Sequence, residues 1–204
     1  MRPVLLAMNN PLSPDPRHAL YPYPPGCTGY RILKLLQRRR PDVTRSQYLR
    51  AFERHNILSS RTWSRPAARE AAEKMRALLA TCYQGRTVLV LGSEPRDLLG
   101  LPPLLVYPQE IGGITWRQLP HPSGRCRWYN DEMNAELAAL LLEHLYEQGA
   151  DEHGAVGADD TKGRTSRDGA AVQGALPRQA GKQRGTGTVR LRRDPGEGTH
   201  DQAG

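Results

Sequence analysis

The chain has 204 residues, with 29 Lys/Arg against 21 Asp/Glu, a net charge of +8 and 38% hydrophobic residues. This is enough for one domain with its own core, and the basic balance favours a polyanionic partner, nucleic acid before membrane. Cys27, Cys82 and Cys126 lie far apart with no C-x-x-C pair, which argues against a zinc or iron–sulfur site and a disulfide framework, and no apolar run reaches membrane-spanning length.

Pro3 to Met8 (PVLLAM) is a continuous apolar run that stops at Asn9-Asn10-Pro11, so a buried strand is expected rather than the core of a signal peptide. A proline-rich loop follows from Leu12 to Gly26. Gly29 to Arg39 carries apolar residues at 30, 32, 33, 35 and 36, a helix closed by Pro41. Arg38, Arg39 and Arg40 read as its solvated basic end. Thr44 caps a short helix with Tyr48, Leu49 and Phe52, and His55 to Leu58 is a short strand. Ser64 caps the next helix, with Pro66 in its first turn and Ala71, Met75, Leu78 and Leu79 on its apolar face. Thr87 to Leu91 (TVLVL) is a second buried strand ending at Gly92-Ser93. Ile114 to Leu119 is the last strand. A helix from Asn130 to Tyr146 follows, with Met133, Leu137, Leu140, Leu141 and Leu145 on its apolar face. Alternating helices and continuously apolar strands predict a three-layer α/β/α domain around a central, mainly parallel four-stranded sheet, over residues 1–149.

Composition changes near Gly149. Asp151 to Gly204 has no aromatic residue and holds eleven of the 20 glycines, so residues 150–204 are expected to form a disordered Gly/Arg-rich tail. Nine Lys/Arg and eight Asp/Glu lie after residue 150, which leaves +7 of the +8 on residues 1–150. The basic character belongs to the folded part.

In parallel α/β sheets ligands bind outside the carboxyl ends of the strands. The polar residues gather at those ends: Asn9-Asn10-Pro11, Asn56-Ile57-Leu58, Gly92-Ser93 and His121-Pro122-Ser123-Gly124. After the last come Arg125, Cys126 and Arg127, a basic loop suited to phosphates.

Three of these places resemble the uracil-DNA glycosylase superfamily, nearest its mismatch-specific and single-strand-selective branches. Ala7-Met8-Asn9-Asn10-Pro11 is similar to the first motif, a Gly-x-Asn-Pro turn after strand one. His121-Pro122-Ser123-Gly124 is similar to the second, His-Pro-Ser before an intercalating loop. Arg54-His55-Asn56-Ile57-Leu58 resembles the strand end that supplies the base-reading asparagine. The likeness covers about residues 3–147. It implies a monofunctional DNA N-glycosylase that flips uracil or a related base out of DNA, needs no metal or cofactor, and acts as a soluble intracellular monomer.

On that resemblance, Asn56 reads the pairing edge of the base with its amide donor and acceptor. His121 hydrogen-bonds the departing base, a type of interaction worth roughly 3–4 kcal/mol in a transition state. Asn9 or Asn10 positions the water, the doubled asparagine leaving the register open. Tyr21, Tyr23 or Tyr30 stacks on the base, and Ser123, Gly124, Arg125 and Arg127 bind DNA. The sequence departs from the family at Ala7 in place of the motif glycine, in lacking an aspartate at the water-activating place (Asp15 lies a few residues on), and in the absence of an apolar wedge from Arg125 to Arg127. A catalytically silent protein binding DNA or a nucleotide in the same pocket is the alternative.

Overall fold

The apolar runs pair into one sheet. The computed structural model describes residues 1–103 and 107–154, so most of the segment expected to be a tail lies outside the described residues. The strands are β1 (Val4–Asn9), β2 (Glu53–Leu58), β3 (Thr87–Leu91), β4 (Gln109–Ile111) and β5 (Ile114–Leu119), in the order β2-β1-β3-β5-β4. β2, β1, β3 and β5 are mutually parallel, and β4 runs antiparallel to β5. The sheet therefore has five strands, not the expected four. The additional strand is half of a hairpin turned by Gly112 and Gly113, at φ 60° and 73°, a left-handed pair that glycine adopts without penalty.

Among the described residues five α-helices accompany the sheet: α1 (Thr28–Arg39), α2 (Arg45–Ala51), α3 (Arg65–Cys82), α4 (Ser93–Leu98) and α5 (Glu132–Gly154). Side chains alternate across β1. Leu5 and Ala7 join a core with Ile32, Leu36, Tyr48, Leu142 and Leu145, from α1, α2 and α5. Val4, Leu6 and Met8 join another with Ala68, Ala72 and Leu79 of α3. Thr44 caps α2 in a reciprocal capping box with Gln47. Ser64 occupies the N-cap of α3 without forming the side-chain bond expected of it.

The apolar stripe of α5 overlaps the expected one in part. Leu141 and Leu145 are buried as expected, together with Ala135, Ala138, Ala139, Leu142 and Tyr146, whereas Leu137 is half-buried and Met133 and Leu140 are exposed. The small residues let other backbone come close: a Cβ on Gly149 would lie 2.0 Å from the Ala51 carbonyl oxygen. Nor does α5 stop at Tyr146 or at residue 149; it continues to Gly154. Leu78, expected on the buried face of α3, is likewise exposed. The arginines ending α1 are tied down. Arg38 bonds Glu132, Arg39 bonds Glu136 and Glu143 at 2.7 and 2.9 Å, and Arg40 pairs with Asp42. Exposed pairs of this kind contribute about 0–1 kcal/mol each. Among the described residues no helix is long and apolar enough to cross a membrane.

Candidate functional site

The strand order reverses beside β1, since β2 lies on one side of it and β3 on the other. Crevices at such switch points are the usual ligand sites of open parallel sheets. A cavity of about 350 Å³ lies at the carboxyl ends of β1 and β2, lined in part by Asn9, Asn10, Tyr23, Thr28, Asn56 and Ser123. The fold thus brings together three asparagines, two tyrosines (Tyr21 and Tyr23) and the Ser123-Gly124 turn from four distant stretches of sequence. A neighbouring cavity of about 430 Å³ borders α3 and also touches Asn56. The register Ala7↔Asn56 puts the Asn56 side chain on the same sheet face as Ala7, which lines the first cavity, so the first is the one it serves.

The asparagines differ in what they already hold. Asn10 is committed to local structure: its Oδ1 accepts from Leu12 N at 3.0 Å, an Asx turn, and its Nδ2 donates to the His18 carbonyl at 2.9 Å. Asn9 makes only two long contacts, from Nδ2 to the Ser60 and Arg61 carbonyls, each at 3.4 Å. Asn56 is the odd one: its Oδ1 is buried and receives no hydrogen bond from the described residues. A buried acceptor left unpaired costs about 1–3 kcal/mol.

One wall of the cavity is the beginning of α1. Cys27 is its N-cap, with Sγ accepting from Tyr30 N at 3.4 Å, and Thr28 and Gly29 form its first turn. Gly29 is required there, because a Cβ would lie 2.2 Å from the Leu20 carbonyl oxygen. Leu20 itself has φ 48°, uncommon for a residue with a side chain. It is held by its neighbours: Tyr48 Oη donates to the Leu20 carbonyl at 3.2 Å and Arg54 Nη1 to the Ala19 carbonyl at 2.9 Å. Burial pushes the Tyr48 hydroxyl up from its ordinary pKa, which keeps it a donor. Among the described residues Arg54 has no carboxylate partner, so a half-buried cation lies close to this wall.

His121 does not line the cavity. It lies behind Thr28, with Nε2 3.4 Å from Thr28 Oγ1. Burial lowers the His121 pKa below its ordinary 6.5, favouring the uncharged ring. Its loop is pinned by bonds from Ser123 N to the His121 carbonyl at 2.7 Å and from Tyr129 Oη to the Pro120 carbonyl at 2.5 Å. Gly92, at φ 102°, lets the histidine approach β3, since a Cβ there would lie 3.2 Å from His121 Cβ.

Tyr30 is not in this cavity. It lines an adjoining groove, together with Tyr129, Arg31 and Lys34. Arg125 and Arg127 are exposed on the loop and line neither space. Asp15 is engaged by Arg17, at 2.7 Å, and among the described residues no carboxylate lines the asparagine cavity. Thr28 went unrecognised in the sequence, although Cys-Thr directly before a helical apolar pattern is where a helix N-terminus belongs. Among the described residues no group of three His, Cys, Asp or Glu is placed to hold a metal ion. No protein-family model matches the chain, and no curated protein matches it.

Proposed function

We propose that the protein is a monofunctional DNA N-glycosylase that hydrolyses the bond between deoxyribose and uracil or a related base, acting as an intracellular monomer. The supporting observation is the buried, unpartnered Asn56 Oδ1 in the wall of a cavity that also holds Asn9 and Thr28. A pyrimidine imide N–H supplies the donor that Oδ1 lacks, and the Asn56 Nδ2 can donate to the adjacent carbonyl. Helical cores against both faces of β1 support the three-layer arrangement expected from the alternation of strands and helices.

In this reading Asn9 orients the water, because Asn10 is occupied by its turn. The water attacks C1′ while the glycosidic electron pair leaves with the base, and the proton that the water then sheds neutralises the departed base anion. Thr28 donates its hydroxyl hydrogen to the base oxygen on which charge grows, and the uncharged His121 donates from Nε2–H to Thr28 Oγ1. His121 is thus a positioning residue and Thr28 the group in contact. The N-terminus of α1 adds a favourable dipole for the anionic base, about 0.3–1 kcal/mol. Without a carboxylate to activate water, rate depends on stabilising the leaving group.

A catalytically silent DNA-binding protein is the second reading, favoured by that same lack of a carboxylate in the cavity. Labelled oligonucleotides carrying U, U·G, hydroxymethyluracil or hypoxanthine, incubated with the full chain and then treated with alkali, separate the two. Cleavage at one modified position supports the glycosylase; tight binding with no abasic product supports the silent protein.

A further inference from the structure

Next to the asparagine cavity runs a groove of about 440 Å³, and the two share Gly26, Ser123 and Gly124. We propose that this groove holds the single-stranded nucleotide adjacent to the one whose base enters the cavity, its phosphate on Arg31 and Lys34 and its base on Tyr30. The proposal rests on the nucleic-acid reading of the cavity but not on catalysis there.

Three observations carry it. First, the groove's charge is of one sign. Arg31, Lys34 and Arg38 line it, and no aspartate or glutamate does. Arg38 is bound by Glu132, but Arg31 and Lys34 are exposed and, among the described residues, form no ion pair. Second, the cations are placed by the helix. Tyr30, Lys34 and Arg38 recur at intervals of four along α1, so they stand on one face, with Lys34 Nζ 5.7 Å from the Tyr30 ring centroid. Third, Arg31 sits at the junction of the two spaces. Its Nε donates to the Gly26 carbonyl at 3.0 Å, and a Cβ on Gly124 would lie 2.9 Å from its Nη2. A guanidinium at that junction is where the phosphodiester between a flipped nucleotide and its neighbour must pass. Aromatic faces interleaved with cations grip single strands with little sequence preference. A protein partner of acidic character has no use for the half-buried Tyr30 ring beside the cations.

The experiment measures fluorescence anisotropy of labelled oligo-dT, about twelve nucleotides long, with the full chain, between about 50 and 300 mM salt. Arg31→Ala combined with Lys34→Ala should reduce the log–log salt slope by about 0.7, the share of the one phosphate that they hold on a single strand. Both positions are exposed, so circular dichroism should report an unchanged fold. Tyr30→Ala should weaken binding about tenfold while Tyr30→Phe binds as wild type, as expected for stacking. An oligoglutamate of equal charge should displace the oligonucleotide poorly. The proposal is overturned if wild type does not bind oligo-dT, if the slope is unchanged in the double variant, if Tyr30→Ala binds normally, or if oligoglutamate competes equally well. Excision is scored separately on the modified-base panel: groove-dependent binding without excision removes the glycosylase reading alone, and excision without groove dependence removes the groove alone.

Discussion

Thr28 and His121 are separated by 93 positions in sequence and by 3.4 Å in space, and the reaction proposed here turns on that pair. Thr28→Val should lower the single-turnover excision rate by roughly 10²–10³, the loss typical of one transition-state donor, while Thr28→Ser retains most of it. His121→Ala should show a similar fall with little change in DNA affinity, because the ring does not line the cavity. Asn9→Ala should slow excision, whereas Asn10→Ala should chiefly lower thermal stability by removing the Asx turn. Burial of His121 also has a pH signature. Its folded pKa lies below 6.5, so the unfolded chain takes up the proton first as pH falls. Stability is therefore full above about pH 6.5 and declines as pH drops from there towards the folded pKa. A thermal melting series across that window should show a smaller decline in His121→Asn than in wild type; identical slopes would mean that the ring is not held neutral.

The edge strand β2 is anchored by charge at its first residue and carries the base-reading candidate three residues on. Glu53 accepts from Arg86 Nη2 at 2.6 Å and from Tyr83 Oη, and His55 Nε2 lies 2.8 Å from that hydroxyl. Burial raises the Glu53 pKa, but the bonds from Tyr83, His55 and Arg86 outweigh it and hold the carboxyl at about 2. The stability this gives is present above about pH 4.5 and lost as pH falls towards 2, below the His121 window. Glu53→Gln should melt lower at neutral pH and lose that acid limb, as read by the melting temperature between pH 5 and about 2.5. Where packing is by small residues, the prediction is steric: Gly149→Ala should cost about 1–3 kcal/mol, because the new methyl meets the Ala51 carbonyl. These elements also show what the sequence could convey. β1 and β3 were legible because their apolar runs are continuous, β5 because Ile114 and Trp116 alternate with polar residues, and the Thr44 cap because its side chain has a local job. The buried stripe of α5 was legible in part: Leu141 and Leu145 lie in it as the spacing predicts, whereas Met133 and Leu140 lie outside it and Ala135, Ala138 and Ala139 share it, since burial of an alanine depends on how close a neighbouring backbone comes. β4 carried a signal that went unused, the Gly112-Gly113 pair between apolar residues. In the site, Asn9, Asn56 and Ser123 were legible as polar residues at strand ends. That Asn10 is spent on a turn is a local matter, an asparagine one residue before Pro11; that Tyr30 faces a different groove and that Thr28 stands in front of His121 depend on how α1 is set against the sheet, which no local pattern encodes.

Across the whole molecule the decisive quantity is where the charge lies. Residues 1–150 hold +7 of the net +8, yet much of the arginine on α1 is already matched: Arg38, Arg39 and Arg40 face Glu132, Glu136, Glu143, Asp42 and Glu147. Among the described residues, exposed cations outside these ion pairs lie near the His121 loop, where Arg31 and Lys34 line the groove and Arg125 and Arg127 project into solvent, and also around the beginning of α3, where Arg61, Arg65 and Arg69 are exposed. DNA affinity should therefore fall steeply with salt, and single pairs of cations should each account for a traceable share of the fall. Arg125→Ala with Arg127→Ala should reduce the duplex salt slope by up to about 1.8, at roughly 0.9 per phosphate. Arg39→Ala with Arg40→Ala should leave the slope unchanged and instead lower the melting temperature slightly, since these two bind carboxylates. Titrations of both pairs with a uracil-containing duplex, in parallel with melting curves, test the division directly. A slope that falls equally in both pairs would mean that bound DNA displaces the α1–α5 ion pairs and that the basic surface acts as a whole.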